Sequence, residues 1–263
     1  MDSLSWIDGS VVLLYLVGIT MLGIRMGKRI QKHTEYFMPR RFGKAMMMMH
    51  AFGTGTASDQ AVVVASGTFR NGLSGIWYQW LWLFNTPFYW VLAPIFRRFR
   101  ATTTADVYAL RFGSSVATLF ALVGILGLSV KIGLLLKGAG ALIESGTQGA
   151  IPSSYVVPVV AVMFVIYGMA GGLAAAIVTD YIQGILTVVF SVMLLPWVLF
   201  AVGGLEGIRS TVSNPDMLSL VAPSGITPFF IFTFAMLSLV GIVAQPFIMG
   251  VCAAGRTEMD GRF

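Results

Sequence analysis

The chain has 263 residues, of which 57% are hydrophobic and only 11% charged, and its mean hydropathy is +0.83. Ordinary soluble domains carry about a quarter charged residues, so this composition excludes that class and indicates an integral membrane protein surrounded by lipid. The net charge of +6 does not point to nucleic acid, because the basic residues gather at the ends of apolar runs, where they orient a membrane protein.

The start, Met1-Asp2-Ser3-Leu4, lacks a basic n-region, and the apolar run behind it is too long for a signal h-region, so no cleavage is expected. Apolar runs long enough to cross a bilayer, at about 20 residues each, lie near 7–26, 44–69, 73–96, 115–143, 152–170, 173–203 and 227–252. If these seven spans alternate, thirteen of the 17 basic residues fall on one side, in loops 25–44 and 97–111 and in the tail. The positive-inside rule makes that side cytoplasmic, with the N-terminus outside and the C-terminus inside.

The first span holds no charge in its interior and reads as a peripheral anchor. Thr34-Glu35-Tyr36-Phe37-Met38-Pro39-Arg40-Arg41 follows, an aromatic pair beside basic residues that suits the headgroup zone. The second span is interrupted at its middle by Phe52-Gly53-Thr54-Gly55-Thr56-Ala57-Ser58-Asp59-Gln60. Two glycines weaken the helix there, the hydroxyls of Thr54, Thr56 and Ser58 compete for the freed backbone groups, and irregular backbone in a membrane must line a cavity or lie against protein. An acid at that depth, Asp59, is by default a candidate functional residue. The alternative is a glycine-rich packing face with Asp59 satisfied by a neighbour. His50 reads either as a hydrogen-bonded packing residue or as a group that titrates or binds an ion.

A short turn, Arg70-Asn71-Gly72, makes the second and third spans an antiparallel pair, and Gln79 in the third wants either another helix or a polar solute as its partner. Thr102-Thr103-Thr104-Ala105-Asp106 offers helix caps. Lys131 in the fourth span either snorkels outward or pairs with Asp59. In the sixth span Thr179, Asp180 and Gln183 share a helix face, which lines an ion route or forms a bracing hydrogen-bond network. The stretch 203–228 is expected to hold a small helix or lid, and Gln245-Pro246 marks a second broken span. Two broken spans in corresponding positions are the sequence pointer to the binding site of a secondary transporter. The single cysteine, Cys252, excludes an internal disulfide, and no metal, nucleophile or phosphate-cradling motif suggests an enzyme or a bound cofactor.

Three stretches resemble the sodium:solute symporter family: Thr34-Glu35-Tyr36-Phe37 with Arg40 or Arg41, Ser58-Asp59-Gln60 with Gly72 downstream, and Gly171-Gly172-Leu173-Ala174-Ala175 with Thr179-Asp180-Gln183. The resemblance implies an all-α integral membrane fold of seven transmembrane helices within one transmembrane domain, 1–263. In it a peripheral helix, 7–26, precedes the first five-helix repeat, 44–203, and the first helix of the second, 227–252, of a LeuT-type inverted-repeat fold. It further implies sodium ligation by backbone carbonyls near Gly53 and Thr56, and a place for Asp180 on the cation's inward path. Gln60 matches a solute-contacting glutamine, Asp59 the acid before it, and Gln79 the position where sugar-transporting members use a polar or acidic residue. Thr54 adds a further polar group toward a solute. Pro39-Arg40-Arg41 departs from the family's Gly-Arg ending, and Ala57 replaces a common serine.

The function expected is sodium-coupled symport of a small polar organic solute, with protons as the other candidate coupling ion because His50 and Asp59 can titrate. Because the second repeat's cation ligands are not in this sequence, the chain is expected to be a fragment that lacks a C-terminal half. The competing reading is a seven-helix sensor or receptor, or a non-transporting partner subunit.

Overall fold

In the computed structural model, residues 6–28, 32–212, 214–221 and 225–262 are described. Met1 to Leu4, Arg29 of the basic loop and residues 222–224 of the expected lid lie outside them. Regular structure among the described residues is helical, apart from an isolated parallel bridge between Phe42 and Gly255. Contacts sort the chain into two units, one comprising 1–59, 89–181 and 245–263, the other 60–88 and 182–244.

Among the described residues, three helices are long and apolar enough to cross a membrane: α1 (Trp6–Gly27), Ser114–Gly146 and Ser153–Ala201. Most of their residues are exposed, as suits helices whose solvent is lipid rather than a protein core. The chain is a multi-pass membrane protein. The other expected spans are not single helices. The second divides into α3 (Lys44–Gly55) and α4 (Ser58–Asn71), following the short α2 (His33–Phe37).

The third span divides further, into a 3-10 turn Gly72–Ile76, α5 (Trp77–Trp80), a second 3-10 turn Leu81–Asn85 and α6 (Thr86–Phe99). Pro87 cannot donate to the carbonyl four residues back, so the chain tightens before it and resumes as α-helix from Thr86. At the turn Gly72 has φ +69, a conformation glycine adopts at little cost. A side chain at Gly75 would strike the backbone of Gly67 and Thr68, and one at Gly67 would come within 2.7 Å of the Tyr78 ring. The two segments therefore meet next to the turn, at a separation that only glycine permits. Residues 215–218 form another 3-10 turn, and Trp77 Nε1 donates to the carbonyl of Leu220 at 2.8 Å. The expected small helix in this stretch is Gly204–Thr211.

In the first unit, α7 (Thr104–Phe112) opens with the capping box expected from its sequence. The Thr103 side chain accepts from Asp106 N at 3.3 Å, and the Asp106 carboxylate accepts from Thr103 N at 2.8 Å. It leads into α8 (Ser114–Gly146) and α9 (Ser153–Ala201). α9 leaves helical geometry at Gly172, with φ 54 and ψ −152, so the two expected spans are separated as the sequence indicates. α10 is the Gly204–Thr211 helix named above, and α11 (Pro228–Ala244) ends before Gln245-Pro246, beyond which come α12 (Ile248–Ala253) and α13 (Glu258–Arg262).

The segment expected to be an interfacial anchor does more than that. Met38, Pro39 and Phe42 are buried, Tyr36 donates to the carbonyls of Gly168 and Met169 at 3.1 and 3.0 Å, and Arg256 N donates to Phe42 O at 2.8 Å. α1 meets α9 through Gly23 and Gly27, whose missing side chains admit Tyr167 and the Ala170 carbonyl, a small-xxx-small contact of the kind that brings membrane helices together.

A Cβ at Gly172 would meet the Tyr36 carbonyl oxygen at 2.5 Å, in a backbone conformation that L side chains rarely adopt. Gly172→Ala should therefore lower the thermal midpoint in detergent by the equivalent of about 1–3 kcal/mol. Gly168→Ala, where the added methyl meets nothing within 4 Å, should leave the midpoint unchanged or raise it slightly.

Candidate functional site

The break in the second span is narrower than its sequence suggests. α3 runs through both glycines to Gly55, and only Thr56 and Ala57 lie outside helix, with Thr56 at φ −116 and ψ 79. Thr54 Oγ1 donates to His50 O at 2.8 Å and Thr56 Oγ1 to Phe52 O at 2.9 Å, so both hydroxyls fold back onto α3. The Thr56 amide reaches Gly53 O at a long 3.4 Å. These carbonyls and hydroxyl lone pairs form a run of hard oxygen donors where the helix ends, the kind of donor that binds a hard cation.

Packing fixes where the second half begins. Ser58 Oγ donates to Leu135 O on α8 at 2.9 Å, and a Cβ at Gly138 would come within 3.0 Å of Asp59 N. Backbone thus lies directly on backbone at the start of α4. Asp59 is half-buried, and its Oδ1 is shielded from solvent without a hydrogen bond. An unsatisfied buried acceptor costs about 1–3 kcal/mol, so the oxygen is poised for a donor or an ion.

His50 and Asp180 are brought together. His50 is 5% exposed, and its Nδ1 lies 2.7 Å from Asp180 Oδ2. Gly53, one turn later on the same face, leaves room for α9: a Cβ there would sit 3.2 Å from Asp180 Cβ. Of the expected cation residues, Asp180 and Gly53 are therefore neighbours. The pairing with His50 was missed, because the polar stripe around Asp180 gives no sign of which distant residue it meets. Thr179 is buried and donates to Ala176 O at 3.0 Å within its own helix.

Lys131 makes no ion pair with Asp59 among the described residues. Its Nζ lies 4.5 Å from the centre of the Phe247 ring, a cation–π contact with the segment just after Gln245-Pro246. Gln245 was read only as part of a break, yet its Oε1 is buried and accepts no hydrogen bond. In the second unit, Gln60 and Gln79 are half-buried, and the side-chain oxygen of Gln79 is shielded from solvent. Asn85 in the same unit is fully buried, with neither amide atom hydrogen-bonded.

The His50–Asp180 contact should be visible in a double-mutant cycle. His50→Ala and Asp180→Ala should each lower stability, and the double variant should cost less than their sum by about 0.5–3 kcal/mol, as measured by unfolding in detergent. Additive losses would mean that the two side chains stabilise the fold independently.

The sequence profile of the sodium:solute symporter family matches residues 36–260. The chain is 25% identical to the sodium/pantothenate symporter of Escherichia coli K12 over 251 residues, covering 89% of this chain and 50% of that protein. It is 27% identical to sodium/myo-inositol cotransporter 2 of Oryctolagus cuniculus over 211 residues, covering 77% of this chain and 31% of that one. The structure is similar to that of the substrate-bound outward-open state of a Na+-coupled sialic acid symporter. The TM-score is 0.83 at 19% identity, over 98% of this chain and 55% of the other. The chain thus spans half or less of the length of these curated relatives, and it shares the helical fold of that symporter structure. On the strength of a match across most of its residues, the chain belongs to the sodium:solute symporter family.

Proposed function

We propose that this chain is the N-terminal part of a sodium-coupled symporter of a small polar organic solute. The observation that carries this reading is the break at Thr56-Ala57. It exposes helix-end oxygens beside Asp59, an acid whose buried oxygen is unsatisfied. A coupling cation needs about five or six oxygen contacts, by analogy with other hard ions. The carbonyls of Gly53 and Thr56 supply two, and the remainder belong to sequence beyond these residues.

Sodium is the coupling ion and is cargo rather than a resident cofactor. Asp180, held by His50, stands on the cation's path toward the cytoplasm. The solute-facing groups in this reading are Thr54 and Asp59 in the first unit and Gln60 and Gln79 in the second, and within the first unit Gln245 offers a further acceptor at the second break. Broken helices rock against a fixed frame as the site opens alternately to either face. The relatives are named for two organic acids and a polyol, so the solute class here is a small, hydroxyl-bearing organic molecule.

The native-length protein in proteoliposomes should accumulate pantothenate, myo-inositol or sialic acid when an inward sodium gradient is imposed, and not with a matched potassium gradient. Gln60→Ala and Gln79→Ala should each weaken apparent solute affinity by about tenfold, the loss of one well-made polar contact, with the sodium dependence little changed. Asp180→Asn should shift the sodium dependence instead. Uptake driven equally by a proton gradient would reassign the ion, and absence of gradient-driven uptake of any solute would leave a non-transporting membrane protein.

The basic loops are placed on the cytoplasmic side, with the N-terminus outside. In a Cys252→Ser background an impermeant maleimide applied to intact cells should label Glu206→Cys but not Arg41→Cys, and the reverse pattern would invert the topology.

A further inference from the structure

The first unit also holds a cavity that the sodium and solute residues do not line. It measures about 580 Å³ and is lined by Arg40, Arg97, Arg98, Arg100 and Arg256, with Thr257 and Glu258. Five guanidinium groups face a single carboxylate. That carboxylate is already engaged, since Glu258 accepts from Arg98 Nε and Nη2 at 3.0 Å each. Arg97 spends two donors on the carbonyls of Ala253 and Arg256, and Arg40 spends one on Ala101 O. The side chains of Arg100 and Arg256 make no hydrogen bond or ion pair among the described residues and are exposed.

This arrangement is costly in two independent ways. Like charges crowd one another: burial, then the neighbouring Arg97 and Arg100, hold the Arg40 guanidinium below its ordinary pKa. The backbone is also strained, because Arg40 (φ 45) and Arg100 (φ 52) are two of the three non-glycine residues with positive φ among those described. Strain of this kind persists only where the surroundings impose it, and it clusters at binding sites. A positive-inside stripe requires only basic residues near the membrane surface. It does not require that they converge on one concavity from the 38–43 loop, the end of α6 and the segment before α13.

We infer that this cavity binds a phosphate-bearing anion. Guanidinium forks match the tetrahedral oxygens of phosphate through paired N–H donors, and several unpaired forks suit a ligand with more acceptors and charge than one carboxylate. The site stands where helices end and basic residues accumulate, the level of lipid headgroups, and basic pockets between membrane helices take phospholipid headgroups. A phospholipid phosphodiester and free inorganic phosphate share this chemistry.

The test uses the native-length protein in phosphatidylcholine nanodiscs. One arm adds phosphatidylglycerol and counts retained lipid by native mass spectrometry; the other adds inorganic phosphate and follows the thermal midpoint. Arg100→Gln/Arg256→Gln removes the two unpaired forks without breaking a contact. Arg25→Gln/Arg111→Gln removes the same charge from the same unit outside the cavity. Retention of phosphatidylglycerol should fall about tenfold in the first variant and stay within about twofold of wild type in the control. Glu258→Gln, which releases Arg98, should strengthen retention. If phosphate raises the midpoint of the wild type and not of Arg100→Gln/Arg256→Gln, while lipid retention is unchanged, the ligand is a soluble phosphate. Equal losses in the two double variants, or no response to either ligand, would overturn the proposal. Binding is the readout throughout, so a protein that fails to transport still gives a result here.

Discussion

Lipid offers no hydrogen bonds, so every departure from helix inside the bilayer must be covered by the protein itself. That constraint organises the first unit. The chain breaks at Thr56-Ala57, at Gly172 and at residues 245–247, and each break has a specific cover. The first lies under α8, with Gly138 against the backbone of Ser58 and Asp59 and Ser58 bonded to Leu135 O. The second is capped by Tyr36, whose hydroxyl donates to the carbonyls of Gly168 and Met169 shortly before the glycine pair. The third is held by Thr104, which donates to Pro246 O at 3.0 Å, and by Gly124, where a Cβ would lie 2.9 Å from the Pro246 ring.

Two of these covers come from one helix. Gly124, Lys131 and Gly138 are spaced seven apart on α8, so they share a face and extend over roughly 21 Å of its length. At one end the face meets the first break, at the other the third, and between them Lys131 lies over Phe247. Gly138 lets backbone approach backbone and Gly124 admits the Pro246 ring, the close approach by which membrane helices associate when no hydrophobic force draws them together. α8 is thus a brace, and its small residues mark where it holds the irregular segments.

Around that brace the polar groups divide by whether they are satisfied. His50 with Asp180, Ser58 with Leu135 and Thr104 with Pro246 are paired and stabilise the unit. Asp59 and Gln245, at the two breaks that α8 covers, each keep a buried oxygen without a hydrogen bond. Structural need accounts for the first group and not for the second. The same contrast separates Arg97, which staples carbonyls, from Arg100 and Arg256, whose forks are unpaired in a cavity crowded with positive charge.

By itself the sequence determined the membrane class, the neighbourhood of the breaks in the second span, at Gly171-Gly172 and at Gln245-Pro246, and the family, because these are local properties. Hydropathy sets which segments enter lipid, and Gly, Pro and hydroxyl residues set where a helix cannot continue. The motif at 171–183 and Ser58-Asp59-Gln60 carried the resemblance for the same reason. What stayed hidden was which distant groups meet. His50 lies 130 residues from Asp180, and no periodicity on either helix names the other. Lys131 was read as snorkelling or pairing with Asp59, whereas the ring of Phe247 receives it. Five arginines that read as a topological signal converge on one cavity, and Tyr36, read as a surface anchor, ties the first loop to the body together with Phe42. Only tertiary structure decides these contacts, because they depend on how closely helices approach, and that distance is fixed by glycines whose partners lie far along the chain.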